Sequence, residues 1–121
     1  MTTQGNRPLT SAELNLAQWM LVHGTPDAAA FLSQLAIAQV TPWKCPCGCA
    51  SINFQIQGHP ETPPGVNILG DFLLGEGELT SGAFIFESGG ILSGIEVYGL
   101  GGRAPTVLPG MEDLRPFKND V

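Results

Sequence analysis

The sequence predicts an α+β domain in which two N-terminal helices pack on a mostly antiparallel sheet of about four to five strands. Three observations lead to this prediction. Two segments with helical spacing come first in the chain, segments of alternating polarity follow, and Ser88-Gly89-Gly90 forms a hairpin signal between two of them. At 121 residues the chain is long enough for one hydrophobic core, so residues 1–121 are expected to form a single domain.

The first helix is predicted to begin after Thr10, with residues 1–8 frayed before it. Thr10 and Glu13 have the spacing of a capping box, in which each side chain bonds the backbone N–H of the other residue. Gly24 is a stop signal, and a second helix is expected to begin at Thr25. The apolar stripe of the first helix comprises Leu14, Ala17 and Leu21 with Leu16 and Met20 beside it, and that of the second comprises Ala28, Phe31, Leu32 and Leu35.

Alternation of apolar and polar residues indicates where the strands lie. Ile52, Phe54 and Ile56 alternate with polar residues, which is typical of a strand with one buried face. A short strand is also predicted over residues 38–41, before the cysteine-rich turn. Residues 58–65 contain three prolines and are expected to form a loop.

The remaining strands lie in the second half of the chain. Residues 66–74 are predicted to be extended, with a bulge or a crossing point at Gly70. The hairpin strands are predicted over 83–86 and 91–98, and the tail over 99–121 is expected to be loop-rich. In the second hairpin strand, one face comprises Ile91, Ser93, Ile95 and Val97, and the other comprises Leu92, Gly94, Glu96 and Tyr98.

The distribution of charge excludes several functions. The net charge is −6, and all of it arises in residues 61–121, since residues 1–60 are neutral overall. Phosphate backbones and anionic membranes are bound through Lys and Arg, and the five such residues here are scattered, so neither partner is expected. No apolar run reaches the roughly 20 residues of a membrane span, and no signal peptide is visible. We expect a cytoplasmic protein with reduced thiols.

The chemistry-bearing feature is a cluster of all three cysteines, Cys45, Cys47 and Cys49. Zinc takes four ligands, usually thiolates and imidazoles, with sulfur about 2.3 Å from the metal. In a straight strand, successive cysteines at this spacing would lie roughly 6.5–7 Å apart, so the backbone must curl to bring the sulfur atoms together. Gly48 permits this curl by adopting positive φ. With His59 as the fourth ligand, these cysteines form a candidate zinc site.

Two other interpretations of the cluster stay open. It can be an inert turn whose thiols pack under Trp43, because free cysteines are among the most buried residues. It can also exchange thiol for disulfide, but an attacking thiolate needs a lowered pKa, and Lys44 is the only nearby cation.

No catalytic constellation is evident, and the question of an enzymatic role stays open. Cys49 and His59 have the residue types of a nucleophile and base, but nothing in the sequence brings them together. Glu96 lies mid-strand between apolar residues and is expected to face solvent; covered by helices, it would have a raised pKa. The glycines match no dinucleotide-binding or phosphate-binding fingerprint.

Ordered motifs lie between residues 45 and 116. They are the Cys-Gly-Cys turn leading into a strand, the strand Leu92-Ser93-Gly94-Ile95-Glu96-Val97-Tyr98 after the glycine hairpin, and the segments Leu108-Pro109 and Leu114-Arg115-Pro116. Together they resemble a group of small bacterial proteins with no assigned activity. The resemblance implies a bacterial or phage-like origin and a compact α+β domain, and it implies no activity and no catalytic residue.

The sequence therefore predicts a small acidic protein-binding or regulatory module. Immunity proteins, antitoxins and inhibitors often have this composition and cover a basic surface of their partner, although composition is a weak guide to function. A protein partner is expected, or a homodimer through an exposed sheet edge, with Trp43 as a candidate anchor. The alternative is a protein stabilised by zinc at the cysteine cluster.

Overall fold

A computed structural model of the chain describes residues 5–60, 66–100 and 102–116. Its framework is one antiparallel sheet of seven strands in the order β1-β2-β3-β6-β5-β4-β7. The strands are β1 (Arg7–Pro8), β2 (Ala38–Val40), β3 (Ile52–Ile56), β4 (Asn67–Leu74), β5 (Ser81–Ser88), β6 (Ile91–Gly99) and β7 (Arg115–Pro116). The helices are α1 (Ser11–Val22) and α2 (Leu32–Leu35), and short 3-10 helices span Ala28–Phe31, Gly77–Leu79 and Met111–Asp113.

The predicted α+β class is confirmed, but the predicted number of strands is wrong. The sheet has seven strands rather than four to five. The two additional strands, β1 and β7, are two-residue edge strands, too short to show any alternation in the sequence. β1 pairs with β2 although residues 1–8 were expected to be frayed, and β7 pairs with β4 from within the loop-rich tail.

The predicted capping box begins α1. The Thr10 side-chain oxygen accepts from the Glu13 N–H at 3.1 Å, and the Glu13 carboxylate accepts from the Thr10 N–H at 2.8 Å. The Arg7 guanidinium donates two further hydrogen bonds to the same carboxylate, at 2.8 and 2.9 Å. A buried charge therefore has partners on both oxygens, which is what burial of a carboxylate requires.

The Arg7–Glu13 pair predicts acid sensitivity. The hydrogen bond from Arg7 holds the pKa of Glu13 below its usual value of 4.5, against the opposing effect of burial. A carboxyl with a lower pKa in the folded chain stabilises the fold at neutral pH, and this contribution is lost as the pH falls below about 4.5 through the folded pKa. We expect Glu13→Gln to lower the free energy of unfolding by about 1 kcal/mol at pH 7.

Urea denaturation between pH 7 and acid pH measures this effect. Glu13→Gln should also weaken the dependence of stability on acid pH, because the substituted side chain no longer titrates. Glu78→Gln, at an exposed position of a 3-10 helix, is the matched control and should leave the stability at pH 7 unchanged. An acid dependence as steep in Glu13→Gln as in the original chain would contradict the prediction.

The face that α1 presents to the sheet differs from the predicted stripe. Leu14 was placed in the stripe, but it is 41 % exposed. Glu13 lies on the buried side instead, where its carboxylate accepts from Arg7 and from the Thr10 N–H. That buried face comprises Leu16, Ala17, Met20 and Leu21.

The predicted bulge and crossing point at Gly70 is confirmed. The register of β4 on β5 shifts between Ile68 and Gly70. A Cβ on Gly70 would lie 2.9 Å from the Phe72 ring and 3.1 Å from the Met20 carbonyl oxygen. Only glycine therefore allows α1 to cross β4 at this distance.

The second helix is shorter than predicted. The segment after Thr25 forms the 3-10 helix Ala28–Phe31 and then α2, a single α-helical turn. The Thr25 N–H donates to the Leu69 carbonyl at 2.7 Å, so β4 anchors this segment at its start. Ala28 and Leu35 are buried in the core as expected.

The glycine hairpin is confirmed, with one consequence for the faces of β6. Gly89 and Gly90 have φ of 61° and 86°, as a two-residue hairpin turn requires. A register shift follows, since Phe86 pairs with Gly94 and Glu87 with Leu92. This bulge reverses the alternation, so Leu92 is fully buried, although the sequence pattern placed it on the face opposite Ile95.

The helices cover one face of the sheet, and the other face is partly open. Glu96 lies on this open face and is exposed, as predicted. Beside it lies an aromatic patch of Phe84, Phe86 and Tyr98, with ring centroids 5.7 and 6.0 Å from that of Phe84. Within the described residues, no helix is long and apolar enough to cross a membrane.

Candidate metal centre

The loop between β2 and β3 brings the three cysteines together. The Sγ atoms of Cys45, Cys47 and Cys49 all lie within 4.8 Å of one another, and those of Cys45 and Cys47 are 2.8 Å apart. The curl is a β-turn in which the Gly48 N–H donates to the Cys45 carbonyl at 2.9 Å. Gly48 has a φ of 86°, so the positive φ predicted for it is confirmed.

The sheet holds the end of this turn through Ser51. The buried Ser51 hydroxyl accepts from the Val97 N–H of β6 at 3.0 Å, and its oxygen lies 3.2 Å from the Cys49 Sγ. Either group can donate in this contact, and with the hydroxyl as donor the hydrogen bond favours the Cys49 thiolate. The Ala50 N–H also donates to the Pro105 carbonyl at 2.9 Å, which links the turn to the tail.

The hydrogen bonds in the cluster separate the acidities of two thiols. Hydrogen bonds with Cys45 and then with Cys49 raise the pKa of Cys47 to about 11, because they favour its protonated form. Burial acts to raise the pKa of Cys49, but hydrogen bonds from Ser51, Cys47 and Cys45 outweigh it and lower that pKa to about 7. Cys49 therefore ionises more readily than Cys47, and a metal binds the thiolate form.

The thiols are accessible to solvent. Cys47 is exposed, Cys45 and Cys49 are partly exposed, and all three are free. Trp43 is itself 43 % exposed, so it does not form the roof of a buried packing cluster. The accessibility favours chemistry at the sulfur atoms over a purely packing role.

His59 is not placed with the cysteines. The turn precedes Ile52, the first residue of β3, and His59 follows Ile56, the last. Five strand residues span about 13 Å, so the two groups lie beyond opposite ends of β3. In the part of the chain that the structure describes, the compact group of metal-ligating side chains contains the three cysteines alone.

The cluster opens into a cleft, here called the thiol cleft, of about 720 Å³. Cys45 and Cys49 line one side, and Arg7 of β1 and Glu13 of α1 line another. Residues 106–108 of the tail complete the boundary. Elements far apart in the sequence therefore meet at this cleft.

Sequence reasoning missed several residues around the site. Ser51 follows Cys49 at the two-residue spacing that places both on one side of an extended chain, so the signal was present. For Arg7 and Glu13, only their short separation in the sequence indicated that they could pair.

On the open face, the Tyr98 hydroxyl donates to Asp71 at 2.6 Å. Burial and, after it, this hydrogen bond raise the pKa of Tyr98.

A glycine substitution tests whether the curl is needed. Gly48 and Gly58 have nearly identical φ of 86° and 87°, and a Cβ on either would meet nothing within 4 Å. Alanine at either position costs about 1–2 kcal/mol of backbone strain. At Gly48 the strained turn can relax when no metal is bound, whereas zinc holds it in the conformation that gathers the thiols, so we expect Gly48→Ala to weaken zinc binding by up to about 5- to 30-fold.

Gly58→Ala is the matched control, because the same strain arises beyond the far end of β3. It should lower stability without changing zinc affinity. Competition with a chromophoric chelator gives both affinities. Equal zinc affinity in the two variants would show that the positive φ of Gly48 is not required.

No protein family, no curated protein and no solved structure matches this chain. The resemblance to small bacterial proteins stays a prediction. The case for a function therefore rests on the geometry of the thiol cluster and of the cleft beside it.

Proposed function

We propose that the protein binds a transition metal, with zinc as the first candidate, through Cys45, Cys47 and Cys49. The observation that supports this is the approach of three Sγ atoms to within 4.8 Å in one exposed turn. Sulfur ligands of a tetrahedral zinc ion lie about 3.8 Å apart at a Zn–S distance of about 2.3 Å. To reach that spacing, the Cys45 and Cys47 Sγ atoms, now 2.8 Å apart, must separate by about 1 Å. We leave His59 out of this site, because it follows the end of β3 away from the cysteine turn.

Repulsion between the thiolates favours the binding of a cation at the cluster. Three ionised thiolates this close repel one another, and a dication at their centre offsets that repulsion. Thiolate ligands favour soft and borderline ions such as Cu(I) and zinc over magnesium or calcium. We place the protein in the cytoplasm, because a reducing compartment keeps the thiols available.

Metal analysis tests the proposal directly. Protein purified under reducing conditions without chelator should contain about one zinc per chain, and zinc should protect the three thiols from a thiol-reactive dye. Metal-free protein should react at all three thiols. Less than about a tenth of an equivalent of metal after incubation with excess zinc would overturn the proposal.

A second candidate is the predicted protein-binding role, favoured by the aromatic patch on the open face. Strands β4 to β6 contain no Lys or Arg, and the open face presents Asp71 and Glu96 beside the aromatic rings. Aromatic residues bordered by acids suit a partner protein with a basic and apolar surface.

Charge reversal at Glu96 tests whether the open face binds a partner protein. A purified partner should lose affinity for the Glu96→Lys variant and keep it for Glu78→Lys, an exposed acid outside the open face. The affinity should also fall with rising salt. A partner equally sensitive to both variants, or self-association as the only binding event, would contradict this second candidate.

A further inference from the structure

Among the described residues, the proposed metal site has three ligands. Tetrahedral zinc takes four donors, and sites with three protein ligands leave the fourth position to water or to substrate. The residues that the structure describes offer three clustered donors, and His59 lies beyond the other end of β3. Two of the three, Cys45 and Cys49, line the thiol cleft.

We propose that the sulfur of a small carboxylate-bearing thiol fills this fourth position from the thiol cleft. The inference rests on the proposed metal site. The protein would then bind a low-molecular-weight thiol as its ligand. On binding, the thiol S–H loses its proton to solvent, and the sulfur replaces a metal-bound water, with no change of oxidation state.

The donor set favours sulfur over water at the fourth position. Three thiolates around a divalent ion leave a net charge of about −1, which weakens the ion as a Lewis acid. A site already rich in sulfur prefers a further soft ligand to a hard oxygen. Hydrolytic chemistry, which needs an acidified water, is correspondingly disfavoured.

The cleft suits an organic ligand rather than solvent alone. Its volume of about 720 Å³ falls within the about 300–1,000 Å³ typical of small-molecule sites. Trp43 and Val107, which are 43 % and 76 % exposed, provide apolar contact area. Exposure of these apolar side chains to water is unfavourable, and a bound organic group would cover part of their surface.

The charges in the cleft favour a carboxylate on the ligand. Arg7 and Lys44 both line the cleft, and Glu13 already pairs with Arg7. Lys44 is exposed and takes part in no ion pair among the described residues. It is therefore the cation available to a ligand carboxylate.

Cobalt(II) in place of zinc provides the readout. The Co²⁺-loaded protein should show a sulfur-to-metal charge-transfer band that grows by about one third when N-acetylcysteine raises the number of thiolates from three to four. N-acetylserine, which has oxygen in place of sulfur, is the matched control ligand and should leave the band unchanged. Gel filtration should show a monomer throughout.

The possible outcomes separate this inference from the metal site itself. Failure of Co²⁺ to bind overturns the metal site. A Co²⁺ spectrum that N-acetylcysteine does not change, removal of the metal by that thiol, or a metal-induced dimer that supplies the fourth ligand overturns this inference alone.

Lys44→Gln tests the carboxylate. The variant should bind N-acetylcysteine about two- to fivefold more weakly, as expected for one exposed charge, and bind 2-mercaptoethanol as the original chain does. Both thiols weakened equally, or neither weakened, would overturn the assignment of a carboxylate-bearing ligand.

Discussion

Replacement of Cys47 by serine is expected to lower the zinc affinity of the protein by more than about 100-fold, because even residues that only hydrogen-bond to a metal ligand contribute about 10- to 100-fold. Cys47 is central to the cluster. Its Sγ lies 2.8 Å from that of Cys45 and accepts from the Cys49 N–H at 3.3 Å. A hydroxyl is a hard donor that does not ionise at neutral pH, so it cannot replace the thiolate.

The Cys47→Ser substitution should change metal binding and leave the stability of the metal-free fold unchanged. The Cys47 side chain is exposed, so the metal-free variant should unfold in urea at the same midpoint as the metal-free original chain. Competition with a chromophoric chelator measures the affinities, and Cys45→Ser and Cys49→Ser should show losses of similar size. A Cys47→Ser protein that retains the original zinc affinity would refute the three-thiolate site.

Replacement of Phe72 by alanine is expected to lower the free energy of unfolding by about 3–5 kcal/mol. Phe72 is 1 % exposed, and its ring centroid lies 5.0 Å from that of Trp19, beneath the crossing of α1 over β4. The substitution removes the ring from the core and leaves a cavity that neighbouring backbone cannot fill. A loss of this size is a large part of the stability of a typical domain.

Phe84→Ala is the matched control, because it makes the same change on the neighbouring strand but on the opposite face. Phe84 is only partly buried in the aromatic patch, so the loss should be nearer about 1 kcal/mol. Urea denaturation gives both values from the midpoint and its slope. Equal losses would mean that the helices do not define the core face of the sheet.

Features that depend on neighbouring residues could be predicted from the sequence. The capping box needs a spacing of three residues, and the hairpin needs two adjacent glycines with positive φ. The curl at Gly48 is of the same kind, because the hydrogen bond that closes it links Gly48 to Cys45 within one turn. Such interactions stabilise local conformations wherever the chain places them.

Features that depend on distant residues could not be predicted in this way. The edge strands β1 and β7 contain two residues each, so only their partners define them. Leu92 is buried because β6 gains one residue relative to β5, which no pattern in β6 alone reveals. His59 is a different case: it follows the strand that the alternation of Ile52, Phe54 and Ile56 already predicted, and the structure places it at the end of β3 away from the cysteine turn.

The sequence by itself determined the class of the fold, the start of α1, the hairpin and the residues that form the thiol cluster. Only the tertiary structure decided how many strands pair, which face of α1 is buried and what surrounds the sulfur atoms. The reason is physical: a hydrogen bond within a turn has few alternatives, whereas a cleft arises where α1, the cysteine turn and residues 106–108 meet. That meeting depends on packing of the whole chain at once.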